Sequence, residues 1–338
     1  MFVSNAQGLR RSCLGVVSAA LAACLLPAFG HDAAQAQTAA QANGRIYVAT
    51  SYRLKREGAE EEKTSHSAII AIDPATGDWQ VIVEKDATKG SAGDHVRLSP
   101  DRRTLVFTRH RDGIWKCESD GQFPVRIFDF RVGSASFPIW SPDSKHLVVH
   151  NSRAETWQID ADGRNPVKLQ LPDNELVCDW SSDGQWFVTC TGRESQHGQL
   201  YLMKTDGTQR RRLTESGGNL ATSSPRFSPD GKKIVYNHSV PADGRSIWTV
   251  DVDGGSATQL VTEAGLSVPT GALWSPEGKQ IAVILSDWRL LPNGKRVRPR
   301  LDTADYRIEI MDADGTHRRR IPLKGARFDL ISSWADWR

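Results

Sequence analysis

The twelve residues from Arg226 to Asn237, RFSPDGKKIVYN, have close relatives in WSPDSKHLVVHN, WSSDGQWFVTCT and WSPEGKQIAVIL. Ser-Pro-Asp-Gly suits a type I turn: Ser caps position i, Pro presets φ at i+1, Asp tolerates i+2 and Gly supplies the left-handed residue. An aromatic precedes the turn and a run rich in β-branched residues follows it, so each copy predicts a β-hairpin. The turn serines Ser99, Ser141, Ser181, Ser228 and Ser275 stand 42, 40, 47 and 47 residues apart. That spacing is the length of one four-stranded propeller blade.

A second periodic element interleaves with the first. GIWKCESDG, ETWQIDADG, QLYLMKTDG, SIWTVDVDG and RIEIMDADG end at Gly121, Gly163, Gly207, Gly254 and Gly315, and read as third strands entering an Asp-Gly turn. Trp115, Trp157, Tyr201 and Trp248 share one position, where the fifth copy has Glu309; a repeated large aromatic predicts packing between blades. Five units begin at Leu98, Trp140, Trp180, Phe227 and Trp274. The N-terminal strands RIYVAT, SAIIAID and WQVIV lack a hairpin before them, and ISSWADWR at the C-terminus carries Trp334 as the corresponding aromatic. The expected fold is all-β: a six-bladed β-propeller whose ring is closed by the C-terminal strand joining the N-terminal blade, leaving no free inner edge.

The Ser-Pro-Asp-Gly hairpins followed by Asp-x-Asp-Gly turns resemble the TolB-type propeller repeat, which is similar to repeats in the propellers of prolyl-oligopeptidase-like enzymes. The resemblance covers residues 45–338 and implies the propeller alone, without the α/β domain that precedes it in TolB. It implies a protein of the bacterial envelope whose partner is another envelope protein or an acidic peptide segment. Some related propellers are enzymes, so a lyase or hydrolase acting on an anionic polysaccharide is the rival expectation.

The N-terminus reads as a targeting segment. Arg10 and Arg11 precede the apolar run LGVVSAALAACLLPAF, and Ala34-Gln35-Ala36 offers a small-residue cleavage site. The division expected is a signal peptide over 1–36, a short linker over 37–44 and the propeller over 45–338, with a periplasmic or secreted product. Leu21-Ala22-Ala23-Cys24 resembles a lipobox, and lipidation at Cys24 would instead tether the chain to a membrane. Of the remaining cysteines, Cys117, Cys178 and Cys190, the last two flank one hairpin. The turn register sets Cys178 opposite residues near Phe187, which favours buried small hydrophobes over a disulfide.

The sequence carries no Gly-x-Ser-x-Gly elbow, His-Glu-x-x-His, Cys-x-x-Cys or P-loop, so no catalytic residue, cofactor or metal site is assigned. The turn aspartates Asp160, Asp251 and Asp312 lack the other ligands of a calcium loop and read as turn formers. His110, His150 and His238 end second strands in three blades without diagnostic spacing. A formal charge of +3 does not announce a nucleic-acid binder. A monomer is expected.

Charge in the loops is the more suggestive feature. In a propeller the loops from second to third strands emerge on one face. Here they carry Arg53, Arg111, Arg153, Arg193 and Arg245, then Trp288, Arg289, Arg296 and Arg298. A ring of guanidinium groups focuses positive potential and favours carboxylate-bearing ligands. Two readings stand: a binding face, or ordinary loop arginines partly neutralised by neighbours such as Glu57, Glu155 and Glu194.

Overall fold

A computed structural model of the protein describes residues 44–54, 66–85, 93–109, 112–129, 136–151, 153–191, 198–214, 221–240, 244–262, 267–287, 289–290, 296–297, 306–331 and 335–338. They lie within one unit running from Ala39 to Arg338.

The repeated serine closes each hairpin in the same way. Ser99 N–H donates to the carbonyl of Thr104 at 2.8 Å, Thr104 N–H returns to Ser99 Oγ at 3.0 Å, and Ser99 Oγ donates to Asp101 Oδ1 at 2.5 Å. The hydroxyl bonds recur at Ser141 with Asp143 and His146, at Ser181 with Asp183 and Trp186, and at Ser228 with Asp230 and Lys233. At Ser275 the acid is Glu277, and Gln280 N–H still donates to Ser275 Oγ at 2.9 Å. These hydroxyls hold the carboxyls of Asp101, Asp143 and Asp230 below their ordinary range. The Asp-Gly turns behave alike: Asp162, Asp206 and Asp314 each accept the amide two residues on.

Six antiparallel sheets result. Sheets two to five run from innermost to outermost strand as 94–98 to 125–128, 136–140 to 167–168, 175–180 to 211–212, and 221–227 to 258–262. The sixth runs from 267–274 through 280–287 and 306–312 to 319–320, with a two-stranded insertion pairing Arg289–Leu290 with Arg296–Val297. In the first sheet the strand Ile46–Leu54 pairs on its inner side with Ala326–Ile331 and Asp336–Trp337. The C-terminus thus supplies the innermost strand of the first blade and closes the ring.

Register identifies the closing aromatic. Leu98, Trp140, Trp180, Phe227 and Trp274 pair with Leu105, Leu147, Phe187, Ile234 and Ile281, each seven residues on, and Trp337 pairs with Ile46. Trp337, rather than Trp334, therefore holds the repeated position.

Second strands are apolar on both sides because each blade packs against two neighbours. In the sixth blade Ile281, Val283 and Leu285 face the fifth blade, while Ala282 and Ile284 face the first. Among the described residues one hydrophobic cluster fills each of the six interfaces between blades. Trp115, Trp157 and Trp248 pack into three of these. Tyr201 instead lies under the Arg210 guanidinium, 3.6 Å from its ring centre. Arg210 reaches across its blade to the fully buried Glu175, with Nη2 to Oε2 at 2.8 Å.

Candidate functional site

The innermost strands surround a central channel. Six side chains immediately before the repeated aromatics face one another there: Asp336, Arg97, Ile139, Asp179, Arg226 and Leu273, in blade order. The order Asp, Arg, aliphatic occurs twice. Asp336 accepts the Leu98 amide at 2.9 Å and lies 3.8 Å from Arg97; Asp179 accepts the Phe227 amide at 2.9 Å and lies 3.9 Å from Arg226. Arg97 donates to the Ala335 carbonyl and Arg226 to the Cys178 carbonyl, both at 3.1 Å. The indoles of Trp140 and Trp274 donate to the carbonyls of Arg97 and Arg226, both at 3.3 Å. Blades one to three and four to six thus repeat one hydrogen-bond scheme.

Burial governs the ionisation of this ring. It pushes the Arg97 guanidinium down, against the opposing pull of Asp336 and Asp179, and pushes the Asp179 carboxyl up, against Arg97 and the Phe227 amide. Each charge keeps a partner within reach, which is how four charged groups share a narrow interior. The signal for this ring was present in the repeat as a charged residue in an inner-strand position that other copies fill with Ile139 or Leu273.

Two cavities flank the ring. One, about 260 Å³, opens among the Ser-Pro-Asp turns and is lined by Pro100, Pro142, Pro229 and Pro276 with Arg102 and Arg338. The other, about 220 Å³, lies towards the opposite face, from which the second-to-third loops emerge. Phe137, Leu176, Val177, Cys178 and Cys190 give it apolar walls, and Thr191, Thr222, Ser223 and Ser224 add hydroxyls. Arg97 lines both cavities and so stands between them. β-Bulges in the innermost strands shape the loop-side cavity, with Phe137 and Ser224 at φ of 55° and 53°.

Among the described residues, His150 and His238 are engaged separately, in different blades. His150 is completely buried in a wall of the loop-side cavity, with Nδ1 2.8 Å from Thr156 Oγ1 and Nε2 2.8 Å from the Val177 carbonyl. The carbonyl can only accept, so Nε2 bears a hydrogen and donates it to Val177. His238 packs on Trp248 with centres 5.3 Å apart, and burial lowers its pKa. His110 lies outside the described residues.

Of the nine expected binding residues, the side chains of Arg153 and Arg245 are described. Arg153 is exposed on a turn made by Asn151 and Glu155, where Glu155 binds Lys168 Nζ at 2.6 Å. Arg245 is half-buried at the start of its strand, opposite Ser239. Arg111, Arg193, Trp288 and Arg298 lie outside the described residues, as do the side chains of Arg53, Arg289 and Arg296, and Cys24 with all of residues 1–43. Two arginines that the sequence reading passed over belong to the same end of the blades. Arg109 stacks 3.9 Å from the Trp115 ring, and Arg307 binds Asp287 Oδ1 at 2.5 Å and Glu309 Oε1 at 2.8 Å.

Comparison with known proteins agrees with this geometry. A putative TolB from Agrobacterium tumefaciens superposes with a TM-score of 0.61 at 18% identity, covering 83% of this chain and 98% of that one. The chain has the TolB-like six-bladed propeller fold. TolB from Acinetobacter baumannii matches this TolB-like propeller with a TM-score of 0.59 at 18% identity, over 87% of this chain and 66% of that one. In sequence, the uncharacterized protein Atu1656 of Agrobacterium fabrum is 31% identical over 137 residues, 40% of this chain and 42% of that protein. The TolB-like propeller spans less than half the length of the curated relatives it matches. No protein-family model matches the chain.

Proposed function

We propose that this TolB-like propeller is a non-catalytic binding module of the bacterial cell envelope. Its ligand is an acidic segment of another envelope protein, taken on the face from which the second-to-third loops emerge. The carrying observation is the loop-side cavity: apolar walls, a rim of hydroxyls and the buried guanidinium of Arg97 at its inner end. Apolar walls take up side-chain area, hydroxyls orient a peptide, and a cation in a low-dielectric site selects a carboxylate. Arg153 and Arg245 add cations on the same face. The structural likeness to TolB proteins supports an envelope setting, reached by export through the leader at 1–36.

His150 bears on the rival polysaccharide enzyme. Both its ring nitrogens are engaged within the protein, which leaves it no free position for proton transfer or metal ligation.

Affinity capture from native envelope extract, comparing wild type with Arg111→Ala, Arg153→Ala, Arg193→Ala and Arg245→Ala combined, tests the reading. A protein partner retained by wild type and lost from the variant is the expected result. Equal capture by both removes the arginine face from the account.

A further inference from the structure

The fourth blade brings two of the chain's thiols together by a route the turn register conceals. Its innermost strand pairs Leu176 with Cys190, Val177 with Thr189, Asp179 with Val188 and Trp180 with Phe187, so Cys178 is skipped as the bulged residue. In a regular antiparallel ladder a residue two positions on from Leu176 would be only a diagonal neighbour of Cys190, too distant for the short reach of two cysteines. The bulge closes that distance: Cys178 Sγ lies 3.0 Å from Cys190 Sγ, and 3.6 Å from the Leu176 carbonyl. Both residues line the loop-side cavity, Cys178 buried and Cys190 half-buried. Cys117 stands apart, in the cluster between the first two blades.

We propose that Cys178 and Cys190 are a dithiol site that a small-molecule or protein disulfide oxidises to an intramolecular disulfide within the folded propeller. The Cys190 thiolate attacks one sulfur of the oxidant, forming a mixed disulfide and expelling the first oxidant thiolate. Cys178 then loses its proton and attacks Cys190 Sγ; the new Cys178–Cys190 bond forms as the mixed disulfide breaks and the second thiolate leaves. The two protons and two electrons of the thiols end on the oxidant, which departs as two thiols. The order follows from the surroundings. The hydrogen bond to Cys190 and burial hold the Cys178 thiol well above the ordinary range, so the more accessible Cys190 reacts first.

The bond would fasten a strand on which the channel ring depends. The Cys178 carbonyl accepts from Arg226, and the next residue, Asp179, is that arginine's ion-pair partner. Oxidation therefore pins the bulge that places both. The inference rests on the placement of the two sulfurs and does not require the acidic-ligand reading.

Tryptic cleavage yields the peptide 169–193, which contains Cys178 and Cys190 and no other cysteine. The full chain is reduced, exposed while folded to oxidised glutathione, quenched in acid, unfolded, alkylated and digested. The expected peptide is lighter than the reduced form by two hydrogens and takes no alkyl group, and a reductant restores two alkylation sites. The oxidised protein is expected to unfold at a higher temperature than the reduced protein, because the cross-link restricts the unfolded chain. Cys117→Ser oxidises like wild type. Two alkyl groups on the peptide after oxidation, or glutathione retained on Cys190 beside an alkylated Cys178, overturns the proposal; so does an oxidised form that unfolds at a lower temperature.

Discussion

Asp179 Oδ1 in the fourth blade lies 3.9 Å from Arg226 Nη1 in the fifth, with both side chains largely withdrawn from water around the central channel. Asp336 and Arg97 repeat the arrangement across the ring. Replacing Arg226 with Met keeps the bulk and leaves Asp179 without its nearest cation. Removing one partner of a buried pair costs about 3–5 kcal/mol. The same loss is expected for Arg97→Met, and a second change, Asp179→Leu, is expected to recover part of the loss in Arg226→Met. Urea unfolding of the three variants checks this; a single variant as stable as wild type would show that the ring contributes nothing.

Ring closure gives a second expectation. Trp337 is 4% exposed and packs between the first and sixth blades. Trp337→Ala should cost about 3–5 kcal/mol, as for other large buried aromatics. The thermal midpoint and the denaturant midpoint should fall together.

Glycines at one repeated turn position should differ in tolerance. Gly163 and Gly207 both have left-handed φ, 87° and 85°. A methyl group on Gly207 meets nothing within 4 Å, so Gly207→Ala should cost only the backbone penalty of about 1–2 kcal/mol. On Gly163 it would stand 1.8 Å from the Ile127 carbonyl oxygen in the preceding blade. Gly163→Ala should therefore be at least twice as costly in equilibrium unfolding. Equal losses would contradict the blade contact.

The turn hydroxyls predict a pH signature. Ser228 Oγ donates to Asp230 at 2.6 Å and holds its carboxyl below the ordinary value of 3.8. A lowered folded pKa contributes stability above the unfolded value, and that contribution fades as pH falls through the folded one. Ser228→Ala should destabilise most at neutral pH and progressively less as pH falls below 3.8, until below the folded pKa the linkage has gone and the lost bond to the Lys233 amide remains. Unfolding measured across that window, with a difference that stayed constant, would exclude the linkage.

What could be read directly from the sequence was whatever is decided within about a dozen residues. Ser228, Pro229, Asp230 and Gly231 make their turn by contacts between near neighbours, so the hairpin, its recurrence and the number of blades follow from composition and spacing. Closure was also legible, because an N-terminal blade lacking its inner hairpin leaves only the C-terminal strand to complete it. The exact partner residues required the assembled ring. Leu98 and Asp336 meet across 238 positions of chain, and nothing local to either names the other. The register that selects Trp337, the bulge that brings Cys178 to Cys190, and the burial that locks His150 at the end of its strand into a cavity wall arise from packing one blade on the next. Turn chemistry is short-ranged and survives in the sequence; the pairing of buried charges and thiols depends on distances that exist only after the sheets have closed around the channel.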